Sequence, residues 1–267
     1  LLLKKNFGTK SHVMRQLLRR VLVTGGVPPK GSTGSAFMIT RLKALRAMGE
    51  IDWALKLLSA IPVENREVIF RKYETEMHFI MENPKKACSI VGDEVLRLKD
   101  PFWQKALVYC QILAGNLSQA ELAISLLQEQ DKFPDFLILS RSIIDGEPRL
   151  PDVLDGLGYL ELAMIKMADL KLPLSIVRKY PATLLSVTTL SKQEQLEAIE
   201  IAAEDGFLEG NNLSKVYAAA LPEETIPTDK VDIADTSVGR AQLYMEAIRT
   251  ELPVAKAEAL ERLMRLT

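Results

Sequence analysis

The chain has 267 residues, of which 48% are apolar and 26% charged, and its formal net charge is −1. A disordered chain would carry fewer apolar residues or a larger net charge, so this composition is typical of a soluble globular protein. Aromatic residues are only 6% of the sequence, and Leu and Ala dominate, which favours an all-α fold over a β fold. No uncharged apolar stretch approaches the length of about 18 residues that a transmembrane helix needs.

Residues 1–34 combine a basic helix with a loop rich in Gly and Pro. The ten Lys and Arg of residues 1–49 have no Asp or Glu beside them in that stretch. Over residues 10–23 apolar side chains recur on one side of a predicted helix and Arg15, Arg19 and Arg20 on the other. These arginines are a candidate patch for an anionic membrane surface or nucleic acid. The alternative is a first helix whose apolar side covers a core and whose basic side faces solvent.

The loop over 25–32 follows a Val-Leu-Val run and a Thr, as the phosphate-binding loop of many dinucleotide-binding domains follows a strand. Pro28 stands where that fingerprint needs its middle glycine, and Pro28-Pro29 prevents a helix from opening at a pyrophosphate. Ser32 follows Gly31, so the loop is not a nucleotide phosphate loop either. We therefore predict an ordinary connection and no cofactor.

Residues 35–131 form a regular helical series. Start and stop signals, such as Asp100 before Pro101, predict helices over 35–48, 51–60, 66–81, 84–98, 101–114 and 118–129. The connections are short, so neighbouring helices should pack antiparallel. Three alanines, Ala54, Ala87 and Ala120, are spaced 33 residues apart, and each follows a turn that begins with Gly49, Glu82 or Gly115.

This pattern resembles the tetratricopeptide repeat, a helix–turn–helix unit of about 34 residues. In that family a Gly near the end of the first helix and an Ala early in the second mark the close crossing of the two helices. Here Gly49, Ala54, Ala87, Gly115 and Ala120 match, and Glu82 departs from the pattern. The resemblance implies an α-solenoid of antiparallel helix hairpins. The first helices of the hairpins would line a concave face that holds a protein or peptide segment.

Residues 132–267 lose the period and are predicted to continue the stack as irregular helical pairs. The predicted helices cover 135–145, 159–170, 173–190, 192–205, 209–220, 238–250 and 253–266. Ser191 and Glu194 form a capping box at one start. The stretch 222–237 has two Pro, five acidic residues and no period, and we predict an exposed acidic loop.

Cys88 and Cys110 fall on adjacent helices of the tetratricopeptide-like series, and a disulfide between them is one interpretation. The other is a pair of buried thiols that pack as small apolar residues. A disulfide would favour a bacterial periplasm or cell envelope over the cytoplasm.

His12 and His78 stand alone without metal-ligand spacing, and no nucleophile motif occurs, so we predict neither a metal site nor catalysis. The predicted function is a non-enzymatic scaffold or adaptor for a protein or peptide, with self-association open. One alternative is the superhelical module of a longer cell-envelope enzyme, since the sequence begins with Leu1. Another is attachment to membranes or nucleic acid through the basic helix.

Overall fold

A computed structural model describes residues 11–62, 66–94, 100–129, 132–154, 157–173, 176, 192–204, 213–215, 217–218 and 236–265. These residues contain helices and no strand, so the all-α prediction is confirmed for the part of the chain that the structure describes. Across the same ranges, no helix has the length and apolar character needed to cross a membrane. The chain divides into unit 1, Leu1–Phe7 with Gln16–Thr189, and unit 2, Gly8–Arg15 with Leu190–Thr267.

The helix boundaries lie within a few residues of those predicted from caps, prolines and glycines. The described helices are α1 (His12–Val23), α2 (Gly34–Ala47), α3 (Ile51–Ser59), α4 (Val68–Ile80), α5 (Pro84–Glu94), α6 (Pro101–Leu113), α7 (Leu117–Gln128), α8 (Pro134–Asp145), α9 (Tyr159–Met167), α10 (Lys192–Glu204), α11 (Ser237–Arg249) and α12 (Pro253–Arg265). The predicted cap of α6 is formed, since the Asp100 carboxylate accepts a hydrogen bond of 2.8 Å from the amide of Phe102.

Three turns between paired helices of unit 1 have the same backbone geometry, which also ends α9 at Asp169. They join α2 to α3, α4 to α5 and α6 to α7, and their central residues Gly49, Glu82 and Gly115 have φ values of 71°, 56° and 74°. In each turn the next amide donates to the carbonyl five residues earlier, in the pairs Glu50–Leu45, Asn83–His78 and Asn116–Gln111, at 2.9, 2.8 and 2.9 Å. This is the hydrogen bond of a Schellman helix ending, which accepts Glu82 in place of glycine at a cost in backbone strain.

The three marker alanines occupy equivalent places after these turns. Ala54, Ala87 and Ala120 are each 0% exposed. The amide of each alanine donates to the carbonyl four residues earlier, over 3.0, 3.2 and 3.1 Å. The helices of each pair are in contact, and α3 and α5 also contact the next helix along the chain, α4 and α6. A methyl group is thus the largest side chain that these close helix contacts accept without rearrangement.

Besides residues 11–15, unit 2 is described in α10, α11, α12 and a few residues between α10 and α11. The Glu200 carboxylate of α10 accepts hydrogen bonds from Tyr217, Ser237 and Arg240 at 2.6, 2.7 and 2.6 Å. Burial raises the pKa of the Glu200 carboxyl, but the hydrogen bonds from these three side chains outweigh it and hold that pKa below its ordinary value.

Several predictions for residues 132–267 lie outside the described residues. They are the helix over 173–190, most of the helix over 209–220, the capping residue Ser191 and nearly all of the acidic stretch 222–237. The last residue of that stretch, Ser237, is the first residue of α11, with Thr236 as its cap. The loop therefore ends earlier than predicted, because the Thr236 hydroxyl accepts from the amide of Gly239 at 3.1 Å.

Candidate functional site

The surface on which we predicted a partner, the face of the first helices α2, α4 and α6, carries a helix of the same chain. α9 packs against α4, and it is buried from Tyr159 to Ile165. On the α6 side, Lys105 forms an ion pair of 2.5 Å with Glu161, and the Tyr109 hydroxyl donates to the carbonyl of Ala163 at 3.2 Å. A partner on this part of the face would have to replace α9.

On the α2 side, Arg46 lies between two aromatic rings. Its guanidinium carbon is 4.9 Å from the ring centre of Tyr73 on α4 and 4.1 Å from that of Tyr159 on α9. Its Nη1 is 2.7 Å from the Glu76 carboxylate. Burial raises the pKa of the Glu76 carboxyl, and the positive charge of Arg46 opposes that shift. These contacts join three helices around one guanidinium and fix α9 in place.

The start of α9 depends on a cap that the sequence analysis missed. The Glu161 carboxylate accepts a hydrogen bond of 3.1 Å from the amide of Gly158. A Cβ at Gly158 would lie 2.7 Å from that same carboxylate oxygen, so only glycine fits without a shift of Glu161. The signal was present in the sequence as a Gly three residues before a Glu at a helix start.

The three arginines of α1, predicted as a candidate patch for an anionic partner, lie in different surroundings. Arg15 is buried, at 5% exposure, and Arg20 is exposed. Arg19 forms an ion pair of 3.4 Å with Glu50, and its guanidinium lies 5.3 Å from the ring centre of Trp53. An amphipathic pattern separates two sides of a helix without stating which side packs, and binding of an anionic partner by these arginines stays a prediction.

Four apolar residues of α1 remain exposed. The exposed fractions of Val13, Met14, Leu17 and Val21 are 72%, 46%, 52% and 60%. These positions recur at intervals of three and four and form one stripe along the helix. Leu18 packs against the core, and Leu22 near the end of α1 is 1% exposed. We call these four residues the apolar stripe of α1.

Cys88 on α5 and Cys110 on α6 are joined by a disulfide, with their Cα atoms 5.6 Å apart. That separation lies in the usual range for a bridged pair. The bond links the second helix of one pair to the first helix of the next.

His78, the two tryptophans and the glycines after α1 differ in burial. His78 is 6% exposed, and burial lowers the pKa of its imidazole. Trp103 is fully buried, whereas Trp53 is partly exposed beneath Arg19 and Lys56. A Cβ at Gly25 or Gly26 would meet no atom within 4 Å, so these glycines serve no close approach. In the described ranges no three His, Cys, Asp or Glu side chains are grouped to hold a metal.

A second feature is a cleft of about 640 Å³ between the start of α2 and the start of α4. It is bordered by the loop after α1 and by Arg41, which is 5% exposed. The Thr33 hydroxyl caps α2 beside the cleft by accepting from the amide of Ala36 at 3.1 Å.

No protein-family model, no curated protein and no solved structure matches this chain. The class that the structure defines is therefore an all-helical protein, and its function is argued below from its own surfaces.

Proposed function

We propose that this chain is a tetratricopeptide-like helical-repeat scaffold that binds a protein partner through the apolar stripe of α1. The repeat assignment is supported by three turns with the same hydrogen bonds and by three buried alanines spaced 33 residues apart. In this interpretation each of the pairs α2–α3, α4–α5 and α6–α7 is one hairpin of an α-solenoid. The Cys88–Cys110 disulfide supports an oxidising compartment such as the bacterial periplasm.

The single observation that carries the binding function is the exposure of the stripe. Scattered apolar residues on a surface are ordinary, but four on one side of one helix form a continuous patch. Apolar side chains three and four residues apart on a helix are typical anchors that pack against a partner helix or insert into its groove. The first-helix face is the less favourable location, because α9 already covers the residues around Arg46 and Lys105.

An anionic membrane or nucleic acid is the less favoured partner for α1. Both need exposed cations, and Arg15 is buried while Arg19 is paired with Glu50. A protein partner needs chiefly the apolar contact area that Leu17 and Val21 present.

The test replaces the two stripe residues whose exposed fractions are 52% and 60%, Leu17 and Val21, with Asp. The matched control places Asp at Leu122 and Leu126, which are 66% and 56% exposed on α7. We expect proteins that co-purify with the native chain to be lost from the Leu17→Asp, Val21→Asp variant and kept by the control. Equal capture by both variants would refute the proposal. Binding of the native chain to phosphatidylserine vesicles, lost in the same variant, would assign the stripe to a membrane instead.

A further inference from the structure

The cleft between α2 and α4 has the size and the walls of a small-molecule site. Its volume of about 640 Å³ falls inside the range of ligand pockets. The walls are mainly apolar and come from the first half of α2, the start of α4 and the segments before each, through Pro28, Phe37, Met38, Ile61 and Phe70. A ligand that fills this space would bury an apolar body against two phenylalanine rings.

Arg41 places a positive charge in this apolar wall. Its Nε donates to the carbonyl of Leu22 and its Nη2 to that of Thr24, the latter over 2.6 Å. Both carbonyls lie at the end of α1, where the helix dipole supplies about half a negative charge. No carboxylate in the described ranges forms an ion pair with Arg41, and burial lowers the pKa of its guanidinium. The charge is therefore only partly compensated by the protein.

The other charged groups at the cleft have partners. Arg66 forms an ion pair of 3.6 Å with Glu74 and donates from Nε to the carbonyl of Ile61 at 3.1 Å. Glu67 accepts a hydrogen bond from the Ser35 hydroxyl. Arg41 is thus the cation at this cleft that no described carboxylate neutralises, in contrast to Arg66.

We propose that this cleft binds a small organic acid with one carboxylate and an apolar body. The carboxylate accepts from Nη1 of Arg41, the guanidinium nitrogen that neither α1 carbonyl uses. The body packs on Phe37 and Phe70. A carboxylate carries one negative charge, which the guanidinium of Arg41 can balance. A phosphate can carry a second charge, and burying it among the apolar walls of the cleft would be unfavourable. The proposal concerns α2 and α4 and is independent of binding at α1.

The test is calorimetric titration of the whole chain with decanoate and with 4-phenylbutyrate, each compared with the alcohol of the same carbon skeleton. We expect at least one acid to bind with one-to-one stoichiometry and at least about tenfold more tightly than its alcohol, as a charge-assisted hydrogen bond requires. The Arg41→Gln variant should lose the same factor for the acid and leave the alcohol unchanged.

A second variant tests the location without touching Arg41. A Cβ at Gly34 would meet no atom within 4 Å, so Gly34→Phe fills the cleft with a ring and leaves the backbone unstrained. Gly25→Phe is the matched control, since Gly25 is equally open and does not line the cleft. Loss of acid binding in Gly34→Phe alone supports the proposal. It is overturned if neither acid binds, if the alcohols bind equally, or if Gly34→Phe binds as the native chain does. Binding of a peptide with an apolar C-terminal residue, but of neither acid, would assign the cleft to a chain terminus and also overturn it.

Discussion

Enlarging the three marker alanines tests whether they occupy equivalent places in three stacked hairpins. Ala54, Ala87 and Ala120 are fully buried where two helices approach closely, and leucine adds three carbon atoms at each position. Overpacking a well-packed core costs about 1–3 kcal/mol. Three added atoms in a rigid helix contact should lower the unfolding free energy by about 2 kcal/mol at each site. The three losses of unfolding free energy should agree because the three turns have the same geometry.

Urea unfolding followed by tryptophan fluorescence measures this loss in unit 1, because Trp53 and Trp103 are the two tryptophans of the sequence and both lie there. The control is Ala47→Leu, at an exposed position at the end of α2, which should change stability by less than about 0.5 kcal/mol. Losses that differ among the three sites by more than about 1.5 kcal/mol would refute the equivalence. The repeat assignment would then lose its main support.

Three other perturbations follow from single features. Gly115→Ala should lower the unfolding free energy by about 1 kcal/mol through backbone strain alone, since φ is 74° and a Cβ would meet no atom within 4 Å; unchanged stability in urea would contradict this. Cys88→Ala with Cys110→Ala should cost about 3 kcal/mol, from the loop of 22 residues that the disulfide closes. An equal urea midpoint for the native and double-variant chains under oxidising conditions would argue against that value. The pKa of the Glu200 carboxyl is lowered in the folded protein, so the ionised carboxylate stabilises the fold at any pH above the ordinary carboxyl pKa. This stabilisation of the fold is lost as the pH falls through the lowered pKa. Glu200→Gln should therefore lower the unfolding free energy by about 2 kcal/mol near neutral pH and leave it unchanged in acid. Hydrogen exchange in α10 and α11 measures this change, and an equal loss at both pH values would show that the ionised carboxylate is not its cause.

Local signals predicted the helices well because their causes are local. The cap at Asp100 and the glycines at 49 and 115 act on the residues beside them, so the sequence states them directly. The closeness of Cys88 and Cys110 followed from the period, which places them on neighbouring helices. In the described part of the chain, the helix boundaries predicted from these signals therefore agree with the structure to within a few residues.

The contacts of α9 had no such signal. Tyr159 on α9 contacts Arg46 on α2, more than 100 residues earlier in the sequence. The apolar sequence of α9 predicts that this helix is buried, but it does not predict against which helices it packs. Which side of α1 faces inward could not be predicted for a related reason, since its amphipathic pattern is compatible with either side packing. The exposure of Leu17 and the burial of Arg15 depend on what packs against α1, which the sequence of α1 does not state.

Two arginines of the basic N-terminal segment, Arg19 and Arg46, form ion pairs with residues that follow the segment. Arg19 pairs with Glu50 and Arg46 with Glu76, so cations of the segment that lacks acidic residues are neutralised by carboxylates from beyond it. Partly buried pairs of this kind are little screened by salt, so Arg19 and Arg46 are already engaged within the chain. If α1 binds through its apolar stripe, the affinity should change little between low and physiological salt. A nucleic-acid complex would lose affinity steeply over the same range, because each phosphate contact releases a counterion. A salt titration of the captured complex therefore separates the two interpretations without any substitution.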